Sequence, residues 1–170
     1  ATFEETYNKP FPPEQKQVDL AATYKWGERT LSWARPRRLV DGRPLRLGGQ
    51  PNAARYFYRT ITALTDRKLA VSLGSDDAIK VWLNGKPQFE NRIQRGIDQG
   101  RDEVDLTLVA GENQLLIKIV NGVGESGFYF NTQKSLPASL FVALKVPLQE
   151  RDEAQKQTVS DYFFSIAPEL

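Results

Sequence analysis

Apolar and polar residues alternate along short runs between residues 68 and 130, which is the pattern of half-buried β-strands. Apolar side chains recur at every second position in two of these runs, at Leu69, Val71, Leu73, Ile79, Val81 and Leu83. Turn-forming residues separate the runs, notably at 74–77, 84–85 and 111–113. The Asn84-Gly85 pair lies between two extended runs and favours a type I′ hairpin turn. This region therefore predicts a meander of antiparallel strands, whose apolar face a second sheet must cover.

The residues before this region predict further strands and an arm. Residues 54–64 form a long alternating run that places Tyr56, Tyr58 and Thr60 on one face. A shorter strand is expected at residues 30–34, after a turn at Trp26-Gly27. Residues 1–17 contain three prolines, which predicts an extended arm that packs onto the sandwich through its aromatic residues.

The pattern changes after residue 135. Residues 138–144 predict one or two helical turns, and apolar residues spaced three or four apart predict a helix over residues 150–165. About eight short strands followed by helices predict an all-β, two-sheet antiparallel sandwich with a C-terminal helical tail. A jelly roll is the first choice of topology and an immunoglobulin-like sandwich the second. The predicted organisation is an arm at 1–17, a sandwich at 18–135 and a helical connector at 136–170.

Composition narrows the classes of function. The 170 residues suit one domain with a sizeable core, and a charged fraction of 26% is typical of a globular protein. The chain has no Cys and no His, which excludes cysteine nucleophiles, histidine-based triads and most zinc sites. It also lacks Met, so we expect a processed product or an excised fragment. No apolar run approaches the length needed to span a membrane.

Charge gives a weaker indication of a partner. The formal net charge of +2 is too small to predict nucleic-acid binding. The basic residues are unevenly placed, however, with five arginines close together at Arg35, Arg37, Arg38, Arg43 and Arg46. One interpretation is a solvated loop, which is favoured, and the other is contact with an anionic polymer. If the second holds, we expect a preference for acidic glycans that weakens as salt increases.

Two polar segments are candidates for a binding site. Asp76 and Asp77 lie between two predicted strands, where adjacent carboxylates serve either as ligands for a hard cation such as calcium or as caps of a polar turn. Asn91 and Arg95 lie in the long loop that follows the next hairpin. Because a two-residue hairpin returns the chain antiparallel, we expect this loop to begin beside the aspartates. The site is thus predicted at one rim of the sandwich, with an ion pair that only joins two loops as the alternative.

Aromatic residues supply the other half of a possible sugar site. Trp82 lies out of phase with Ile79, Val81 and Leu83, so it faces the opposite side of its sheet. There it either stacks on a pyranose ring or belongs to a core beneath the arm or the tail helix. The second interpretation is favoured for Trp82, and equally for Trp33, Tyr56 and Tyr58. Trp26, beside Gly27 in a predicted turn, is the best candidate for an exposed tryptophan.

Several of these segments together resemble a known kind of module. GSDDAIKVWLNGK, the NRIQRG loop and AGENQLLIKIVNGVGESGFYF are similar to a β-sandwich domain of large, cytochrome-associated secreted or surface proteins of environmental bacteria. The tail resembles the helical connector that follows such domains. VWLNGK and AGENQLLIKI also resemble galactose-binding-like jelly rolls, and SDD is similar to the calcium-holding aspartates of adhesin-type carbohydrate-binding domains. A further acidic residue that is usual after that strand is missing here.

The resemblance implies a non-catalytic carbohydrate-binding module in a secreted, periplasmic or surface protein. From the residues themselves, we expect its site to include Asp76, Asp77, Asn91, Arg95, Trp26 and Trp82. Its partners would be a polysaccharide or oligosaccharide and neighbouring domains of a parent protein, with no nucleic acid. Calcium at Asp76 and Asp77 is a further expectation. The alternative is a structural module that docks neighbouring domains. No enzymatic activity is expected, because two adjacent aspartates on an extended chain face different directions and make a poor acid and nucleophile pair.

Overall fold

The computed structural model describes residues 1–35, 39–132 and 138–166. The chain divides into two compact units, Ala1–Gln133 and Lys134–Leu170. Within the described residues, the first unit contains two short helices and ten strands. The helices are α1 (Phe3–Asn8) and α2 (Pro12–Gln15), and the strands are β1 (Thr23–Trp26), β2 (Arg29–Ser32), β3 (Leu45–Arg46), β4 (Ala53–Ala63), β5 (Arg67–Asp76), β6 (Ala78–Leu83), β7 (Lys86–Asn91), β8 (Asp102–Leu108), β9 (Gly111–Asn121) and β10 (Gly127–Thr132).

The strands form two four-stranded antiparallel sheets and a separate hairpin. One sheet has the order β3-β10-β5-β8, the other has the order β4-β9-β6-β7, and β1 pairs with β2. The predicted all-β, two-sheet antiparallel sandwich is confirmed. The predicted meander is wrong, because within the four-stranded sheets only β6 and β7 are both consecutive in the chain and paired. All the other pairs join strands that are distant in sequence, which is typical of a jelly roll.

The alternating apolar residues form the core between the two sheets. Leu73 on β5, Ile79 on β6 and Leu106 on β8 are fully buried there. Phe57 and Phe128 come from different sheets and stack at 4.4 Å between ring centroids. Burial of each such side chain contributes about 1.5–3 kcal/mol, so the alternation is what holds the sheets together.

Two predicted turns have different outcomes. Asn84 and Gly85 have φ angles of 51° and 75°, so the type I′ hairpin is confirmed. The predicted turn at residues 74–77 is wrong, because β5 continues through Asp76 and pairs with β10. Hydrogen bonds to the neighbouring strand outweigh the local turn preference. Gly74 has a packing role instead, because a Cβ there would collide with the carbonyl oxygen of Asp98. The chain passes from one sheet to the other at Asp77, after a cis Asp76-Asp77 peptide bond.

The N-terminal arm is helical in part, which corrects the expectation of an extended segment. Thr2 caps α1 through a capping box with Glu5, in which each side chain accepts a hydrogen bond from the other residue's backbone. Pro12 begins α2, where its fixed φ angle and missing N–H suit the first helical turn. The prolines therefore start a helix here and do not prevent one.

The arm is fixed to the outer face of the β4-β9-β6-β7 sheet by a buried lysine. Lys118 on β9 is fully buried, and its Nζ donates to the carbonyl oxygens of Tyr7 and Lys9 at 3.2 and 2.9 Å. The same Nζ lies 2.9 Å from Oε1 of Glu14, which also accepts a hydrogen bond from the Tyr56 hydroxyl. These contacts make the arm part of the sandwich.

Tyr7 should make the stability of the sandwich fall in alkaline solution. Burial, together with a 3.0 Å hydrogen bond to Glu90, raises the pKa of Tyr7 to about 12. The unfolded chain releases this proton from about pH 10 while the folded chain keeps it, so stability is lost as pH rises through 10 to 12. Denaturation midpoints measured from pH 9 to 11.5 should fall less steeply for Tyr7→Phe than for the unmodified chain. An equal slope in both would contradict this assignment.

The second unit contains α3 (Ala138–Lys145), a 3-10 turn (Leu148–Glu150) and α4 (Glu153–Ile166). The predicted C-terminal helix is confirmed. It begins three residues later than predicted, because Asp152 caps it by accepting a 2.7 Å hydrogen bond from the Gln155 N–H. In the part of the chain that the structure describes, no helix is long and apolar enough to cross a membrane.

Candidate functional site

The two loops predicted to meet at the rim of the sandwich do meet. Asp77 is buried, and both of its carboxylate oxygens accept backbone hydrogen bonds. Oδ1 accepts from the Arg95 N–H at 2.7 Å, and Oδ2 accepts from the Gly122 N–H at 2.8 Å. Asp77 thus holds the 92–101 loop and the end of β9 against the point where the chain changes sheets.

The other rim residues are bonded to one another. The Arg95 guanidinium forms an ion pair with Asp102, and both side chains are only 7% exposed. Its Nε also donates to the Ser75 carbonyl at 3.2 Å. The Asn91 amide donates to Oδ1 of Asp102 at 3.0 Å. Asp77, Asn91 and Arg95 therefore lie together, but their polar groups satisfy one another, which favours the interpretation of a tie between loops.

Asp76 also lies at the rim, where its carboxylate accepts a backbone hydrogen bond from Ile97. It is half-buried, and desolvation together with the neighbouring charge of Asp77 raises the pKa of Asp76 above its usual value. Calcium takes six to eight oxygen ligands, most of them carboxylate or carbonyl. At this rim both carboxylate oxygens of Asp77 already accept hydrogen bonds from backbone N–H groups. The described residues include no cluster of three or more acidic, His or Cys side chains that could hold a metal ion. This donor set does not fit a calcium ion.

A second candidate lies on the outer face of the β4-β9-β6-β7 sheet, which the arm leaves partly open. Tyr58 on β4 and Trp82 on β6 are both register partners of Leu116 on the strand between them. The two aromatic side chains thus lie in one row, separated by two strand spacings or about 10 Å. They line a central cleft of about 530 Å³. Trp82 is half-buried here. It is thus neither a fully buried core residue nor a fully exposed stacking residue, which were the two interpretations of its position in the sequence.

The walls of the central cleft are polar. The sheet contributes Glu112 and Gln114, and the arm contributes Gln15 and Lys16. Within the described residues, the side chains of Glu112 and Gln114 make no hydrogen bond or ion pair. Both are therefore available to a ligand, whereas Asn84 in the same wall is engaged with Asn113 and Gln114 N–H in the turn. Aromatic surfaces with free amide and carboxylate groups beside them are suited to binding a polar, ring-shaped ligand.

Trp26 is exposed as predicted, with 43% of its surface accessible. It lies in a different place, in a cleft of about 340 Å³ that the β1-β2 hairpin forms with Phe11 and Tyr56. The structure therefore separates the predicted site residues into three locations. Asp76, Asp77, Asn91 and Arg95 are at the rim, Trp82 is on the sheet face, and Trp26 is beneath the hairpin.

The arginine cluster is also dispersed. Arg46 lies on β3 at the edge of the opposite sheet, and Arg43 is exposed. Arg35 lines a cleft of about 560 Å³ on the far side of Tyr58, together with Trp33 and Arg59. Arg59 is engaged with Asp41 through two hydrogen bonds of 2.7 and 2.8 Å. Arg37 and Arg38 lie outside the described residues.

Sequence reasoning missed several residues of the central cleft. Tyr58 was assigned to the core, and Leu116, Glu112 and Gln114 were not selected. The sequence feature that could have identified them is the alternation of Tyr58 and Trp82 with the buried residues of their strands, which places both side chains on the outer face. Which residues of β9 lie between them depends on two pairings between strands that are not consecutive.

No protein-family model matches the chain, and no curated protein matches it either. Among solved structures, it is similar to part of an α-L-rhamnosidase from Streptomyces avermitilis in complex with L-rhamnose, with 20% identity and a TM-score of 0.41 over 49% of this chain and 9% of that one. It is also similar to part of a β-glucosidase from Kluyveromyces marxianus in complex with glucose, with 14% identity and a TM-score of 0.39 over 54% and 12%.

A third similarity is to a GH26-CBM35 β-(1,4)-mannanase from Podospora anserina, with 15% identity and a TM-score of 0.29 over 49% of this chain and 20% of that one. All three are carbohydrate-active enzymes, and the chain spans a fifth or less of each. With TM-scores below 0.5 these similarities do not decide what the chain binds, so its function has to be inferred from its own residues.

Proposed function

We propose that this chain is a non-catalytic carbohydrate-binding module whose site is the central cleft between Tyr58 and Trp82. The observation that carries the proposal is the pair of aromatic side chains in one register row, facing outward across Leu116. The C–H faces of pyranose rings are apolar and pack against aromatic rings. Glu112 and Gln114 beside the rings supply an acceptor and a donor-acceptor pair for sugar hydroxyls.

The acidic groups at the cleft support binding without turnover. Glycoside hydrolysis by the common mechanisms needs two free carboxyl groups on either side of the scissile bond. Glu112 is free, but Glu14 is held by Lys118 and by the Tyr56 hydroxyl. With Asp77 engaged at the rim as well, no second carboxylate in the described part of the cleft is placed to serve as acid or nucleophile.

Removing the Trp82 ring should weaken binding. We expect Trp82→Ala to lose about tenfold or more in affinity, because a buried aromatic anchor commonly contributes about 2 kcal/mol or more. Native gels containing hydroxyethylcellulose, galactomannan, xylan or polygalacturonate would measure the retardation of each variant. Trp26→Ala is the matched control, since it removes a tryptophan outside the cleft.

The two tryptophans distinguish the possible sites. If retardation is lost in Trp26→Ala and kept in Trp82→Ala, the ligand binds beneath the hairpin. If none of the four polymers retards the unmodified chain, the proposal of carbohydrate binding fails. That result would favour the alternative function, an interaction module that docks neighbouring domains of a larger protein.

A preference for acidic polysaccharides is a further part of the proposal, and Arg35 is the residue that supports it. In the cleft on the far side of Tyr58, Arg59 is engaged by Asp41, whereas the exposed Arg35 makes no ion pair within the described residues. Together with Lys16 in the central cleft, Arg35 can supply positive charge to a ligand. We expect Arg35→Gln to reduce affinity for carboxymethylcellulose, an acidic β-1,4-linked polymer, up to about fivefold at low salt, since exposed ion pairs contribute at most about 1 kcal/mol. Arg43→Gln is the control, and galactomannan affinity should not change. Equal affinity of the unmodified chain for both polymers at every salt concentration would refute the preference.

The same proposal includes the location of the protein. A module for polysaccharides is useful where polysaccharides occur, which suits the secreted, periplasmic or surface location that the sequence resemblance implies. The second compact unit, residues 134–170, suits a connector to further domains.

A further inference from the structure

The central cleft is the middle one of three that lie in a row across the sheet. The cleft lined by Arg35 and Trp33 lies over the edge strand β4, the central cleft over β9 and β6, and a third cleft of about 340 Å³ over β6 and the edge strand β7. Their order follows the strand order β4-β9-β6-β7. We call this row of three clefts the aromatic groove.

Each boundary between neighbouring clefts is an aromatic side chain. Tyr58 lines both the β4 cleft and the central cleft, and Trp82 lines both the central cleft and the β7 cleft. Each aromatic residue thus borders two clefts, and Tyr58 also makes an edge contact with Trp33 at 6.3 Å between ring centroids. A ligand that lies along the groove would contact both rings in succession, at an interval of about 10 Å.

The groove crosses all four strands of the sheet. Since β4 and β7 are the edge strands, no further strand of this sheet lies beyond either outer cleft in the described residues, and the cleft over β4 is also lined by Leu20 and residues 33–35. The axes of the four strands span about 14 Å, so an extended chain that advances by about one strand spacing per ring would place about four sugars over them. A site for a single sugar would instead be confined to one cleft.

On the basis of the proposed function, we infer that the aromatic groove binds an internal stretch of a linear, extended β-1,4-linked polysaccharide. Alternate sugars of such a chain present C–H faces at intervals comparable with the separation of Tyr58 and Trp82. Their hydroxyls would meet the polar groups that line the cleft, Gln114 and Glu112 from the sheet and Gln15 and Lys16 from the arm. A curved, α-1,4-linked chain does not keep its rings in one straight row.

A ladder of oligosaccharides tests this inference. Calorimetric titrations would use cello-, manno- and xylo-oligosaccharides of one to six sugars, with malto-oligosaccharides of the same lengths for comparison. We expect at least one β-linked series to gain about tenfold or more in affinity between the disaccharide and the tetrasaccharide, because the tetrasaccharide reaches the second aromatic ring and stacks on it. Little further gain is expected at five and six sugars, and the malto series should bind more weakly.

Tyr58→Ala and Trp82→Ala provide the site-specific evidence. Each variant keeps one ring, so the gain from two to four sugars should shrink to about threefold or less, while Trp26→Ala retains the full gain. If a monosaccharide binds as tightly as a hexasaccharide, or if the malto series binds best, the inference of an extended-chain groove is wrong although carbohydrate binding stands. If no oligosaccharide and no polysaccharide binds, the proposed function itself fails.

Discussion

Arg95→Met is expected to lower the free energy of unfolding by about 3–5 kcal/mol. The reason is that Asp102, with a side chain only 7% exposed, would keep its charge and lose its partner. The Ser75 carbonyl oxygen and hydroxyl would lose their donors at the same time. Natural domains are stable by only about 5–15 kcal/mol, so this is a large fraction of the total. Urea denaturation followed by circular dichroism would measure it.

A matched exposed pair provides the control for Arg95. Arg101 forms an ion pair with Asp98 at 3.0 Å, with both side chains more than half exposed. Arg101→Met should cost at most about 1 kcal/mol. We also expect Arg95→Met to retain glycan binding at temperatures where it is folded, because the rim residues connect two loops and do not contact the ligand. Loss of glycan binding with unchanged stability would show instead that the rim is the ligand site.

Lys118→Met is the second change with a large expected effect. We expect a loss of about 3–5 kcal/mol, because Glu14 would remain as an unpaired charge in a largely buried position. The carbonyl oxygens of Tyr7 and Lys9 would also lose the ammonium group that they share. The arm should therefore detach before the sandwich unfolds, which hydrogen exchange at residues 3–17 would detect as a local loss of protection.

A double variant tests whether the charge is responsible. Lys118→Met with Glu14→Gln removes both members of the pair, so part of the lost stability should return, and the difference from the sum of the single changes measures their coupling. If the arm stays protected in Lys118→Met, the lysine is not what fixes it. Because the arm forms one wall of the central cleft, its release should also weaken glycan binding.

The sequence was sufficient for the fold class. Alternation in β6 and β8 predicts which side chains are buried, since a strand with one buried face repeats every two residues. The change of period in the tail predicts α4. The arm was less predictable, because three prolines favour an extended segment in the sequence, whereas in the structure Pro12 occupies a first helical turn.

The candidate site was less predictable from the sequence than the fold class. The proximity of Asp77 and Arg95 could be predicted, because a tight hairpin relates nearby residues. Whether those groups are free could not be predicted, since the Gly122 N–H reaches Asp77 from just beyond the end of β9 and Asp102 reaches Arg95 from β8. The aromatic groove depends on β4, β9 and β6 lying side by side, and no local pattern specifies which distant strands pair.

Fluorine NMR of the protein labelled with 5-fluorotryptophan tests the central claim most directly. The chain has three tryptophans, so it should give three signals, each assigned by a single Trp→Phe change. Titration with the best β-linked tetrasaccharide should shift the Trp82 signal in a saturable way and leave the Trp26 signal unchanged. A Trp82 signal that does not move at saturating ligand, with or without a shift of Trp26, would contradict a binding site between Tyr58 and Trp82.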